Sequence, residues 1–378
     1  MNVKKIAVLV ETINSHSGSR APIEIAKGLK NLGIKVTIIG FSNNLDLSLK
    51  KDLLKSGINI NTFPKFASFI KSRLLPDFRI VKILKRGNFD LAIAAVFLPS
   101  VAAAKLANLP ILKIYMGTQF NAYLEKFNPD EKINLKDKFF NTFVNVVIYT
   151  FELISLTLAN HIVAISNYCA QEIKRLYFKN VDDTIYLGGN HLKTATILSP
   201  DKSSRTINLL AVSRITPYKN FHLLITAVSN LKVKKRVNLT ILGSSTNPKY
   251  LSYLSKIKRS NIKIIEDPSD YKLTKSYQDC DFILSADRYL FFGFPIAEAA
   301  FFQKSAISLD FAAAREVIKN NKTGFVVKSP KEMTQAIEKL INDPQLLKNL
   351  GENAQKRAQD LFTWQKIAKK YLERLEKL

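Results

Sequence analysis

Three short segments combine residue types that bind anions and hydroxyl groups. Ser15-His16-Ser17-Gly18-Ser19-Arg20 is a loop of small residues that runs into a helical pattern. Helix N–H groups point out of such a turn, so it suits an anion. Its spacing matches neither Gly-x-x-x-x-Gly-Lys-Ser/Thr nor Gly-x-Gly-x-x-Gly. Val212-Ser213-Arg214-Ile215-Thr216-Pro217-Tyr218-Lys219-Asn220 ends a strand pattern and sets Arg214 and Lys219 five residues apart before a helix. Arginine grips phosphate in a planar, bidentate way and lysine adds a point charge, so the two together suit a diphosphate. Phe291-Phe292-Gly293-Phe294-Pro295-Ile296-Ala297-Glu298-Ala299-Ala300 places Pro295 at a first helical position, with Gly293 open to close backbone approach. Glu298 is then expected in the first helical turn, facing a cleft, where a carboxylate can hold paired ribose hydroxyls. Each segment alone also fits plain structure: a strand–helix turn, two cations among the 57 Lys and Arg of the chain, and a glutamate at a helix dipole.

The elements that must position these residues follow from periodicity. Ile6–Val10, Lys35–Gly40, Asp90–Val96, Pro110–Tyr115 and His161–Ile165 read as strands, with amphipathic stretches between them such as Arg20–Leu32, which ends at Gly33. The pattern pauses at Gly188-Gly189-Asn190 and the polar stretch Ser199–Arg205. It restarts with Ile207–Val212, Val237–Leu242, Ile262–Glu266, Asp281–Ser285, Ser305–Leu309 and Gly324–Val327. Apolar strands alternating with helices predict parallel sheets. The fold class expected is α/β: two facing Rossmann-like, doubly wound domains with a cleft between them. Residues 1–195 form the first domain and 196–362 the second, and the C-terminal helix 363–378 crosses back to the first. Ser329-Pro330-Lys331-Glu332 reads as a capping box, and Asp343-Pro344 opens the next helix.

Composition narrows the class. The chain has 378 residues, 47% of them hydrophobic and 23% charged, which excludes a mostly disordered chain. Cys169 and Cys280 are the two cysteines and lie far apart, which excludes a disulfide scaffold and argues against a structural zinc site. The first apolar run, Ile6–Val10, is too short for a signal segment and is followed by Glu11, so a cytoplasmic location is expected. The formal charge is +26, spread as +12 over residues 1–195 and +14 over 196–378. Such charge suits nucleic acid, anionic lipid or phosphorylated substrates, or a generally Lys-rich surface. Nucleic acid is not expected, because no RNP-like, zinc-finger or helix-turn-helix pattern occurs.

Taken together and in this order, the three segments resemble the retaining nucleotide-sugar glycosyltransferases of family 4, which have the GT-B fold. The resemblance covers nearly the whole chain and is strongest in 211–227, 291–300 and 316–378. It includes Thr323-Gly324-Phe325-Val326, Asn342-Asp343-Pro344 and Phe362-Thr363-Trp364. Ile185–His191 is similar to the family's link between domains. The resemblance implies Arg214 and Lys219 as the catalytic diphosphate clamp, Gly18 and Ser19 near the donor phosphates, and Glu298 as the ribose ligand. It also implies the backbone of Phe292, Gly293 and Phe294 around the sugar and phosphate. Gly243 and Asp267, each directly after a strand, complete the donor-binding set.

Three departures stand out. Leu290 occupies the place of the family's first motif glutamate, with Asp287 nearby as a substitute. Met116-Gly117 stands where the family has His-Gly. Ala313-Ala314-Arg315 replaces the usual Gly-Gly before Glu316.

The resemblance implies transfer of a hexose-type sugar from a UDP- or GDP-linked donor to a saccharide or lipid-linked acceptor, with retention. Fixed cations would stabilise the charge that grows on the leaving phosphate. No cofactor is required, since the cation pair can replace a metal; an accessory Mg²⁺ stays open. The alternatives are a catalytically impaired donor-fold binding subunit, or another GT-B activity such as a nucleotide-sugar epimerase.

Two stretches bear on location. Lys50–Arg86 holds ten Lys and Arg with Phe63, Phe66, Phe69 and Phe78 interleaved, and Phe139–Leu158 is very apolar but broken by Asn141, Asn145 and Glu152. Both suit either ordinary helices or peripheral contact with an anionic membrane at the inner face of the cell membrane.

Overall fold

Runs of β-branched and aliphatic residues become the buried parallel strands of two separate sheets. The computed structural model describes residues 3–14, 17–42, 45–64, 76–95, 98–118, 120, 135–192 and 206–377. The polar stretch 199–205, together with Ser15, His16, Phe66, Phe69 and Val96, lies outside the described residues.

The first sheet contains β1 (Lys5–Thr12), β2 (Lys35–Phe41), β3 (Asn59–Phe63), β4 (Leu91–Ala94), β5 (Ile111–Tyr115), β6 (His161–Ala164) and β7 (Asp183–Thr184). Their order is β3-β2-β1-β4-β5-β6-β7 and every pairing is parallel. The helices joined to it are α1 (Ser17–Asn31), α2 (Leu47–Lys55), α3 (Phe78–Arg86), α4 (Leu98–Leu106), α5 (Leu135–Leu158) and α6 (Asn167–Tyr177).

The second sheet contains β8 (Thr206–Val212), β9 (Arg236–Gly243), β10 (Ile262–Glu266), β11 (Phe282–Ser285), β12 (Ser305–Leu309) and β13 (Gly324–Val327), in the order β10-β9-β8-β11-β12-β13, again all parallel. Its helices are α7 (Phe221–Ser229), α8 (Pro248–Ile257), α9 (Asp270–Asp279), α10 (Phe294–Phe301), α11 (Ala314–Val317), α12 (Pro330–Asn342) and α13 (Pro344–Leu361); α14 (Trp364–Glu376) follows. Both sheets reverse direction beside their first strand, and a reversal of this kind is where open α/β sheets bind ligands, beyond the carboxyl ends of the strands.

The chain divides into two compact units. One comprises 1–120, 143–188 and 364–378, the other 121–142 and 189–363. Residues 189–195 therefore group with the second unit. Helix α14 belongs to the first unit and packs on α1, where a Cβ at Gly28 would collide with the Ala368 side chain.

Local signals account for several boundaries. Gly33 follows α1 with φ +94°, a left-handed conformation that glycine tolerates. Ser329 accepts from the Glu332 N–H at 3.2 Å. The Glu332 carboxylate reaches back to the Lys328 N–H at 2.9 Å, one residue earlier than the expected box. Asp343 accepts from the Leu346 N–H at 2.8 Å. Strand β3 was not expected, since Asn-Ile-Asn-Thr-Phe at a sheet edge is only half-buried and carries little apolar signal.

Candidate active site

The loop after β8 carries the cation pair. Ile215 and Thr216 are buried and Pro217–Lys219 forms a single 3₁₀ turn. Asn220 closes it in the left-handed region at φ +53° and donates from Nδ2 to the Ala286 carbonyl at 3.0 Å. Arg214 is exposed, with its guanidinium carbon 6.0 Å from the Tyr218 ring centre, and Lys219 Nζ lies 5.2 Å from the same ring. Tyr218 thus gathers both cations around one aromatic ring.

A second loop, after β11, locks onto the first. The Arg288 N–H donates to the Tyr218 carbonyl at 3.0 Å, and the Tyr218 and Tyr289 rings meet edge-on at 5.4 Å. Lys219 Nζ is 2.5 Å from Asp287 Oδ2, while Asp287 Oδ1 accepts from the Tyr289 N–H at 3.0 Å. Asp287 is therefore committed to Lys219 and to its own loop. The residue expected as a substitute for the missing motif glutamate is thus paired with the lysine of the cation pair. Leu290 itself is 2% exposed and packs beneath Gly293, so the position is part of the core and not of a polar surface.

Gly293 (φ +90°) is the N-cap of α10 and, lacking a side chain, makes no capping hydrogen bond itself. Phe292 is buried, edge-to-face with Phe294 at 5.6 Å and with Phe362 at 5.4 Å, which fixes the entry to the helix. Glu298 departs from expectation. With the helix starting at Phe294 it falls in the second turn, and it is 6% exposed rather than facing open space. Its Oε2 accepts a 2.6 Å hydrogen bond from the Tyr277 hydroxyl on α9, and its Oε1 is 3.2 Å from His191 Nε2. Neither ring nitrogen of His191 has a hydrogen-bond partner among the described residues.

Gly243 ends β9 directly against the Ser213 carbonyl; a Cβ there would overlap the backbone oxygen. The adjoining ladder, Ser213 N–H to Leu242 O at 3.0 Å and Ile215 N–H to Ser244 O at 2.8 Å, holds the Arg214 loop along β9. Asp267 is exposed, has φ +44°, and donates its N–H to the Gly243 carbonyl at 3.2 Å. Arg214, Lys219, Gly243, Asp267 and Phe292–Phe294 thus lie together, at and just beyond the carboxyl ends of β8, β9, β10 and β11.

Gly18 and Ser19 belong to the first unit. Gly18 is exposed, with open space where a Cβ would be, and Ser19 Oγ is 3.3 Å from Thr12 Oγ1 at the end of β1. After β5, the Met116–Thr118 loop is held by Glu172 on α6, whose Oε2 accepts from the Tyr115 hydroxyl at 2.6 Å and the Thr118 N–H at 3.1 Å. Burial pushes the Glu172 carboxyl up, against the hydrogen bonds from Tyr115 and Thr118. Tyr218, Tyr277, His191 and Glu172 carried no signal in the sequence pattern. Of these, Tyr218 and His191 sit inside segments already singled out there, and Tyr277 and Glu172 do not.

Residues 198–357 match the family described as Glycosyl transferases group 1. The chain is 28% identical over 178 residues to a probable sucrose-phosphate synthase of Thermosipho melanesiensis, covering 45% of this chain and 41% of that protein. It is 27% identical over 170 residues to the capsular polysaccharide biosynthesis glycosyltransferase CapM of Staphylococcus aureus, covering 42% and 44%. The matched stretch thus spans less than half the length of these curated relatives. Anabaena Alr3699/HepE, solved in complex with UDP and glucose, superposes with a TM-score of 0.75 at 18% identity, over 99% of this chain and all of that one. The two parallel α/β units are the Rossmann-like domains of a GT-B fold.

Proposed function

We propose that this protein is a glycosyltransferase that moves a hexose-type sugar from a UDP- or GDP-linked donor to a saccharide or lipid-linked acceptor, with retention at the anomeric carbon. One observation carries the reading. The Arg214–Lys219 loop is bonded through Tyr218 and Asp287 to the loop that leads into the start of α10. Two cations and a helix start therefore share one edge of the second sheet, an arrangement suited to a diphosphate.

As the glycosidic bond breaks, negative charge grows on the leaving phosphate. Groups fixed in advance stabilise that charge more than they stabilise the ground state. Arg214 and Lys219 take this role. Glu298 takes the ribose hydroxyls; a carboxylate has about four acceptor sites, and Tyr277 occupies one. Phe292, Gly293, Phe294, Gly243 and Asp267 shape the rest of the donor site. The reaction needs no resident cofactor on this reading, and turnover should survive EDTA. The reading places the enzyme in glycan or polysaccharide assembly on the cytoplasmic side of the membrane. It draws support from the capsular relative and from the UDP-bound neighbour.

A second reading, a donor-binding subunit without turnover, rests on Leu290, which is apolar and buried where the resembling family carries a sugar-contacting glutamate. A screen of UDP- and GDP-hexoses for released nucleoside diphosphate, run beside binding of the same donors, separates the two. Release with one donor supports transfer. Binding without release supports the second reading, and no binding of any donor sinks both.

A further inference from the structure

Helix α5 presents an uncharged stripe to the outside. Phe139, Phe143, Val146, Thr150, Ile154 and Thr157 are all exposed. They follow one another at spacings of three and four, and so share one face of the helix. Phe139 is 69% exposed and Phe143 66%. The hydroxyl of Thr157 turns back to the Leu153 carbonyl at 2.8 Å, so its polarity is spent inside the helix. The opposite face is anchored. Glu152 pairs with the buried Lys113 of β5 at 3.3 Å, Ser155 and Leu156 are buried, and Tyr149 stacks on Tyr177 at 5.2 Å.

By length and composition α5 could cross a bilayer, and 17% of its most apolar 18-residue stretch is buried. The sheet forbids a span. Strands β5 and β6, on either side of α5 in the chain, pair in parallel with each other. Just past the far end of the helix, Asn160 exchanges hydrogen bonds with Ile111 of β5, both at 3.0 Å. A helix of 24 residues, about 36 Å long, that must return to its own sheet can meet a membrane only along its side.

Charge identifies the membrane. Lys136 and Lys138 are exposed at the start of α5. On α3 an exposed row of Phe78, Lys82, Lys85 and Arg86 points outward, while its inner residues Ile80, Val81 and Leu84 join a core that Leu158, at the end of α5, packs against. Aromatic and aliphatic groups flanked by lysines and arginines fit an interfacial helix on anionic lipid. We propose that the outer face of α5, assisted by the basic row of α3, docks this protein on the surface of an anionic bilayer, with the helix lying in the interface plane. This surface uses none of the residues assigned to sugar transfer and does not depend on that assignment.

Flotation of the full chain with vesicles of phosphatidylcholine and phosphatidylglycerol, and of phosphatidylcholine alone, at low and high salt, tests the proposal. Binding to the anionic vesicles that weakens with salt is expected. The triple variant Phe143→Glu, Val146→Glu, Ile154→Glu should bind at least tenfold more weakly while keeping the circular dichroism of the native chain. Because Trp364 is the sole tryptophan and is buried, Phe143→Trp adds a reporter whose emission should shift blue and be quenched by brominated lipid. The proposal is overturned if native protein stays with the unbound fraction, if the triple variant floats equally well, or if the new tryptophan does not respond. Concentration-dependent self-association abolished by the triple variant, with no vesicle binding, assigns the face to a second copy instead.

Discussion

Lys219 and Asp287, 68 residues apart, form an ion pair with Nζ 2.5 Å from Oδ2 and both side chains mostly buried. The pair gives Lys219 two roles that can be separated. It tethers the loop after β8 to the loop after β11, and it offers a cation whose charge is already partly matched. Lys219→Ala strands Asp287 and should lower stability by about 1.5–3 kcal/mol, the range for a hydrogen bond to a charged group. Lys219→Ala with Asp287→Asn should recover much of that loss. Neither protein should transfer sugar at more than roughly 10⁻²–10⁻³ of the native rate, the usual effect of removing one electrostatic group from an anion site. Thermal unfolding and released nucleoside diphosphate measure the two effects independently. Native turnover in either variant would remove Lys219 from the clamp.

Tyr277→Phe deletes the hydroxyl that Glu298 accepts from at 2.6 Å and leaves the ring stacked on Phe302. Urea unfolding should show a loss of about 1–3 kcal/mol, because the buried carboxylate keeps its desolvation cost without that hydrogen bond. An unchanged unfolding midpoint would mean that Glu298 finds another donor.

Gly243→Ala should act on the site through the backbone. The added methyl overlaps the Ser213 carbonyl, so either β9 or the Arg214 loop has to move. Overpacking of this kind costs about 1–3 kcal/mol. Turnover should fall with stability, because the displaced segment carries Arg214. A variant that unfolds at the native temperature and turns over normally contradicts the close approach.

Glu172 makes stability depend on pH in an unusual direction for a carboxylate. Burial raises its folded value above the ordinary 4.5, against the hydrogen bonds from Tyr115 and Thr118, with Arg175 lowering and Glu152 raising it further. The folded state then holds the proton more tightly than the unfolded chain. The contribution of Glu172 is most favourable below pH 4.5 and declines as pH rises through the raised folded value. Glu172→Gln removes this slope. The difference in unfolding free energy between native protein and Glu172→Gln, followed upward from pH 4.5, should move in favour of the variant. A flat difference would show that Glu172 is not shifted.

Much of the architecture is legible in local patterns. Ser305–Leu309 and Gly324–Val327 are strands at the expected residues, because buried parallel strands need unbroken apolar runs and short turns. The edge strands β3 and β7 escape notice, since one is half polar and the other is two residues long. At the site, the order of Arg214, Lys219, Gly293 and Glu298 along the chain could be read directly. Their partners could not. Tyr277 reaches Glu298 from another helix, and Asp287 reaches Lys219 from another strand end, and periodicity carries no information about either meeting.

The packing of α14 on α1 sets an order of assembly. The first unit draws its opening strands from one end of the sequence and this helix from beyond the whole of the second unit. Gly28, pressed against Ala368, waits for a partner that emerges from the ribosome only after β8–β13 have been made. During synthesis the second unit can close its sheet with everything it needs, whereas the first stays one layer short, its long-range closure deferred. The domain that begins first is thus completed last.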